Sequence, residues 1–434
     1  MGIFSTFAGT YAEIMKTKLT SREYLVPFIL ITSLFFLWGF ARAILDVLNQ
    51  HFRDTMDISI AQSSLIQVTT YLGYFLMAVP AGMFINRYGY KRGVVMGLLL
   101  YAVGALLFIP GVHVGTLPAF LVCLFIIACG LAILETAANP YATELGPSET
   151  AAARLNFSQS FNGLGSCLAP ILVGSFLFSG GDKADVSLPY MVMGVLVILV
   201  AIVFSFSKLP TITTPHDEGE TNSAVGTGQS HSLSDNLRRL VNNRMFVLGV
   251  LALFCYEVAE ISINSYFVLF VTGQGWLTAT TASAILSGAL LIFMLGRFVG
   301  SWVMQRVSAE RTLTVCAFGC VLCMVGVIVS AVCVKDADGW QKYLPLAFLI
   351  ANYFFESIMF PTIFSLAIGG LGTLTKTASS ILMMTPVGGC AFLLVGLVAD
   401  HAGFIIPFVI PLLGYVVVWA YARAKQSAAR LPVQ

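Results

Sequence analysis

Charge is what this chain lacks most. Only 10% of its 434 residues are Asp, Glu, Lys or Arg, where soluble domains carry about 25%. Hydrophobic residues make up 58%, and the mean hydropathy is +0.88. Together these exclude a water-soluble globular protein. No Gly-Lys-Ser or Gly-Lys-Thr loop occurs, so an ATP-driven pump would have no phosphate cradle. The nine cysteines lie almost wholly in apolar stretches, Cys316, Cys320 and Cys323 on a single one, with no histidine nearby. They read as small packing residues, not metal ligands. No nucleophile is set beside a base, so the chain is not read as an enzyme, and neither cofactor nor metal is expected. The alternation of a membrane β-barrel is also missing. The first apolar run is too long for the core of a cleavable signal, so the first span is expected to serve as its own targeting signal.

What the chain has instead is apolar runs long enough to cross a bilayer as helices. Twelve are expected, near 24–50, 61–86, 93–109, 117–143, 152–178, 188–206, 245–271, 281–303, 313–334, 344–369, 377–399 and 404–422. The fold class is therefore an all-α integral membrane protein. Arg22, Arg87, Lys91, Arg92, Arg154, Arg238, Arg306 and Lys376 fall on the side that holds both termini, while the other side has only Arg53, Lys183, Lys335 and Lys342. The bias of basic residues places both termini in the cytoplasm. The bilayer is one expected partner; nucleic acid is not, and a single copy is expected.

The stretch TITTPHDEGETNSAVGTGQSHSLSDN is polar and rich in Ser, Thr and Gly, and reads as a flexible linker. It divides the chain into a tail (1–23), six spans (24–208), a linker (209–243), six spans (244–422) and a second tail (423–434). The halves echo each other. Glu135 and Pro140 of span four reappear as Glu356 and Pro361 of span ten, and Trp38, Arg42 and Asp46 of span one match Tyr256, Glu260 and Asn264 of span seven. Duplication into two six-helix bundles would place a substrate cavity between them at mid-membrane and open it to each side in turn.

An ionisable residue inside a span is a functional candidate by default, because lipid penalises it. The set is short: Arg42, Asp46, Glu135, Glu257, Glu260, Arg297 and Glu356. At about 1.5 Å per residue, Glu135 lies roughly 13 Å from the boundary near Glu144, close to the midplane. Glu135 and Asp46 are the candidates for proton coupling. Arg42 can neutralise Asp46 four residues along the same helix, or face Glu260 across the halves. Glu257 and Glu260 share a face of span seven. Arg297 is expected near enough to the cytoplasmic end to snorkel. In RLNFSQSFN, Asn156, Gln159 and Asn162 form an amide stripe, and with the aromatic faces of Trp38, Phe157 and Phe161 they suit the hydroxyls and apolar face of a sugar; bonding between helices is the alternative.

The loop GMFINRYGYKRG, with Gly82, Arg87, Gly89, Lys91 and Arg92, is similar to the gating signature of the major facilitator superfamily, although Asn86 stands where an acid is usual. GRFVGSWVMQR in the second half is a weaker copy. Through SLFFLWGFARAILD, LFIIACGLAILETAANP, RLNFSQSFN and FPTIFSLAI the chain resembles the fucose:proton symporter family over nearly its whole length. The resemblance implies proton-driven uptake of a monosaccharide across the inner membrane, with Asp46 and Glu135 in proton coupling and sugar binding and with Gln159 and Asn162 lining the cavity. Trp38, Arg42, Asn139, Glu257, Glu260, Asn264, Glu356 and Phe360 complete the expected sugar site. Fucose transporters of the family have an asparagine at Ala43, Gln-Tyr at Met359 and Phe360, no acids at Glu257 and Glu356, and no arginine at Arg42. The sugar can therefore be L-fucose or a related hexose, deoxysugar or amino sugar. A sugar-acid or sodium-coupled transporter, or a proton-coupled drug exporter of the same fold, are the alternatives.

Overall fold

A computed structural model describes residues 19–56, 60–169, 187–207, 210, 233–334 and 340–429, with the side chains of 42–64, 66–67, 187–189, 233–234, 279–280, 342, 392–393 and 400 outside the described residues. Each expected span is mainly helical where it is described, with short turns in the last three, and no strand occurs among the described residues. A helix satisfies its own backbone in lipid, where nothing else would. Eight stretches, one of them running through spans two and three, are long and apolar enough to cross a membrane, and Leu25–Ala41 and Tyr190–Phe206 are shorter apolar helices. Leu99, Val103, Leu199, Val325 and Val329 are exposed on the outer surface, the arrangement expected where the solvent is lipid.

Spans one and five (Leu25–Met56 and Ala151–Ala169) touch backbone to backbone. A Cβ on Gly39 would run into the carbonyl of Asn162, and one on Gly165 into that of Phe36. Small residues bring membrane helices this close because only van der Waals contact holds them. The crossing sets Trp38 beside Asn162.

Two expectations about local structure change. The segment between spans two and three is not a loop: one helical path, Ile60–Leu106, is interrupted only at Gly89, with φ 83° and ψ 167°. Only glycine adopts that conformation readily. The linker, expected to be flexible, ends in the helix Leu233–Asn242, whose Leu240 is buried. The two prolines also differ in effect. Span four stays one helix, Leu117–Glu144, through Pro140, whereas span ten ends at Glu356 and resumes at Met359. A proline cannot donate to the carbonyl four residues earlier, and for Pro361 that acceptor is Ser357, beside the break.

Across the seam between the halves, several bonds lie toward the end bearing Arg87, Lys91 and Arg92. Asn86 Nδ2 donates to Thr377 Oγ1 (3.0 Å), Asn156 Nδ2 to Thr362 Oγ1 (3.0 Å), Ser301 Oγ to the carbonyl of Ala153 (2.8 Å) and Ser379 Oγ to that of Thr136 (2.9 Å). Asn86, which replaces the usual acid, thus works as a neutral clasp. Cysteines at both positions (Asn86→Cys with Thr377→Cys), joined by a short thiol crosslinker, should stop uptake, and cleaving the bridge should restore it. Full uptake in the bridged protein would show that this seam need not open.

Candidate functional site

On the far side of these bonds lies a cavity that opens to solvent and is walled by both halves. The first half supplies Trp38, Thr70, Tyr71, Tyr74, Leu131, Glu135, Gln159 and Asn162 to its walls. The second supplies Glu257, Glu260, Arg297, Phe360 and Pro386.

Glu135 is 4% exposed, and Tyr74 Oη donates to its Oε1 at 2.5 Å. The Gln159 amide is held by Asn139, whose Oδ1 accepts from Gln159 Nε2 at 3.4 Å. Trp38 packs on Phe35 with ring centroids 5.2 Å apart, and its buried Nε1–H has no acceptor among the described residues. A donor left unpaired at a cavity wall is costly unless a ligand or water accepts from it. The site thus offers a hydroxylated ligand an aromatic plate, an indole donor, two amides and several carboxylates.

Trp38, Glu135, Gln159, Asn162, Glu257, Glu260 and Phe360, all expected from sequence, line this one cavity. Asn139 and Asn264 are not among its described walls: Asn139 positions Gln159 from behind, and the Oδ1 of Asn264 is buried without a partner among the described residues. Glu356 is also set back, behind the wall. The side chains of Arg42 and Asp46 lie outside the described residues, and with them the expected Arg42–Glu260 pair. Asn156 leaves the amide stripe for the seam. Phe157 and Phe161 pack on Phe298 of span eight, with centroids 6.0 Å apart in each case.

Arg297 corrects an expectation. Instead of snorkelling it is 6% exposed, and it lines the cavity. Its Nε donates to the carbonyl of Ser357 at the break in span ten, its Nη1 to the carbonyl of Gln159 in the other half (both 3.1 Å), and its guanidinium lies 4.5 Å from the Phe293 ring centroid. Those acceptors satisfy the cation at a depth that sequence position alone assigned to the interface. Sequence reasoning missed Tyr74 as well, one tyrosine among many in apolar runs. Its spacing of three residues from Tyr71 was the available signal. In the gating segment, Gly82 admits Ser380 against its backbone, Lys91 Nζ donates to the carbonyl of Ser205 (2.8 Å), and Arg87 and Arg92 sit over the Tyr88 ring.

A cavity walled by carboxylates from both halves and amides from the first, between the bundles of a many-helix membrane protein, has the form of a secondary transporter's substrate site. The sequence pattern of the Major Facilitator Superfamily matches residues 28–394. The chain is 35% identical over 454 residues to the L-fucose-proton symporter of Escherichia coli (strain K12), covering 99% of this chain and 100% of that one. It is 34% identical over 401 residues to the glucose/galactose transporter of Brucella abortus biovar 1 (strain 9-941), covering 90% and 92%. The structure of the transporter FucP in the outward conformation superposes with a TM-score of 0.82 at 34% identity, covering 93% and 99%. The chain belongs to the major facilitator superfamily, in the family of its fucose:proton symporters, and it is not an enzyme.

Proposed function

We propose that the protein takes up a neutral monosaccharide together with protons, by alternating access, across a bacterial inner membrane with both termini in the cytoplasm. One observation carries this: Glu135, hydrogen-bonded by Tyr74, shares a cavity with the Gln159 and Asn162 amides and the Trp38 ring. A carboxylate beside the sugar can bind a proton and a hydroxyl in the same cycle, which makes the two movements interdependent. Glu135 and Asp46 are assigned the proton. Trp38, Gln159, Asn162, Glu257, Glu260 and Phe360 are assigned the sugar, and Asn139 orients Gln159.

The halves, 24–208 and 244–422, rock about this site as a monomer, joined by the linker 209–243. The seam on the basic side corresponds to the outward-facing state. Three carboxylates against the single guanidinium of Arg297, among the described walls, oppose a sugar acid. The relatives named for L-fucose and for glucose/galactose support a hexose or deoxyhexose.

The test is uptake into proteoliposomes of labelled L-fucose, D-galactose, D-glucose, glucosamine and glucuronate, with and without a pH difference. Accumulation of a neutral sugar that collapses with protonophore is expected. Uptake indifferent to protonophore would sink proton symport, and sodium-dependent accumulation would replace it with the sodium-coupled alternative.

A further inference from the structure

Behind the cavity, the second half holds a carboxyl group that this scheme leaves unused. Glu356 is the last residue of the first helix of span ten, directly before its break, and it is 0% exposed. Its Oε2 accepts from Asn352 Nδ2 at 2.8 Å and from Tyr415 Oη, and the same amide reaches Tyr415 Oη at 3.0 Å. Its Oε1 has no partner among the described residues. The same is true of three more buried atoms, Asn352 Oδ1 and the hydroxyls of Tyr256 and Tyr353. Tyr256 and Tyr353 lie within electrostatic reach of both Glu356 and the cavity residue Glu260.

The ionisable groups facing Glu356 come from every packed helix: Tyr256 and Glu260 of span seven, Arg297 of span eight, Cys320 and Cys323 of span nine, and Tyr415 of span twelve. Glu257 is on the same face of span seven as Glu260. Arg297 is the one cation among these described groups. It is tied to both the carbonyl beside Glu356 and the other half of the protein, through Ser357 and Gln159.

A carboxylate anion with one bare oxygen in a dry interior is far less favourable than the neutral acid. The neutral acid needs one acceptor for its proton. Tyr415 Oη can serve, and so can Asn352 Oδ1 after an amide rotation that heavy atoms alone do not distinguish. The rotation would also give the orphaned Oδ1 its partner.

We propose that Glu356 is a second proton-binding site of the transporter, loaded while the basic-side seam is closed and discharged when it opens. The proposal rests on the symport reading above. Opening pulls span five away from span eight and breaks the bond between Arg297 and the Gln159 carbonyl. The guanidinium, still beside Ser357, then turns toward the carboxyl of its own half and favours the anion. The O–H bond of Glu356 breaks, and its proton passes to water in the cavity, by way of Glu260, and leaves on the basic side. Reloading takes a proton from the cavity when it faces the other way.

The full chain in proteoliposomes tests this with Glu356→Gln, which has the shape of the neutral acid but holds no transferable proton. With the membrane potential clamped at zero and one pH unit imposed, each coupled proton supports about tenfold accumulation. Labelled D-galactose or L-fucose should therefore fall from about 100-fold in the wild type to about tenfold in the variant. In infrared difference spectra, which need no sugar, the wild type should show a protonated-carboxyl stretch that Glu356→Gln lacks. Unchanged accumulation, or absence of that band from the difference, overturns the proposal. If Glu356→Gln does not reconstitute, Tyr415→Phe replaces it: a carboxyl band belonging to Glu356 shifts in frequency, and a band that stays in place overturns the assignment. Wild-type uptake that ignores protonophore is a separate result, and it overturns the symport reading itself.

Discussion

Glu135→Gln is expected to abolish sugar accumulation against a gradient while sugar-for-sugar exchange continues. Glutamine keeps the volume of the side chain and leaves an oxygen to accept from Tyr74, whose bond to Glu135 Oε1 is 2.5 Å long. The cavity wall should therefore stand, and sugar should still cross when sugar returns. What disappears is the group that binds a proton beside the sugar. With a pH difference of one unit, the about tenfold accumulation supported by each coupled proton should fall to equilibration, with inside and outside equal. This effect exceeds that expected at Glu356 because Glu135 lines the cavity and Glu356 does not. Loss of the inner proton removes one coupled ion, whereas loss at the sugar removes the linkage. Paired measurements of net uptake and counterflow check it. Accumulation equal to the wild type would assign Glu135 a purely structural place.

Arg154→Ala should be the most destabilising substitution in the first half. The sequence offers Arg154 only as one of the basic residues that set topology. In the structure it is 0% exposed and donates to five acceptors. Nε reaches the carbonyl of Ala142 (3.2 Å), Nη2 that of Thr143, and Nη1 the carbonyls of Leu19 (3.1 Å) and Pro147 (2.8 Å) and Thr150 Oγ1 (2.7 Å). Ala142 and Thr143 belong to the last turn of span four, whose carbonyls have no helical donor, and a cation there also complements the helix dipole. Bonds to a charged group contribute about 1.5–3 kcal/mol each. Removing the guanidinium, which leaves several carbonyls buried and bare, should cost on the order of 3 kcal/mol or more. That is a large share of the ~5–15 kcal/mol by which folded proteins are stable. A clear fall in thermal unfolding temperature in detergent is expected, and Arg154→Lys should recover only part of it, since an ammonium cannot span acceptors this far apart. A variant as stable as the wild type would show that water takes over the carbonyls.

Much of the transport site was legible because depth and face are periodic properties. The length of each apolar run locates Glu135, Glu257 and Glu260 near mid-membrane, and helical spacing puts Gln159 and Asn162 on one stripe; all five line the cavity. The same spacing failed for Asn156. It lies on that stripe, yet one turn nearer the basic end it meets Thr362 across the seam. Arg297 failed for a related reason. Depth along span eight said that it could reach water, and nothing local said that two carbonyls, one from each half, were waiting for it. Tyr74 looks from sequence like any other aromatic residue in lipid. Only the packing of span two on span four makes it the donor to Glu135.

By itself, the sequence determined that this is a twelve-span helical membrane protein, which end of each span is basic, and which carboxylates and amides lie deep enough to meet a substrate. Those are one-dimensional properties, set by transfer free energy and by the helical repeat. Tertiary structure alone decided which deep groups share a wall, which clasp the two halves, and which sit behind the cavity with an unpaired oxygen, as Glu356 does. These outcomes depend on contacts between helices far apart in the chain, where a displacement of one turn exchanges a sugar ligand for a seam bond.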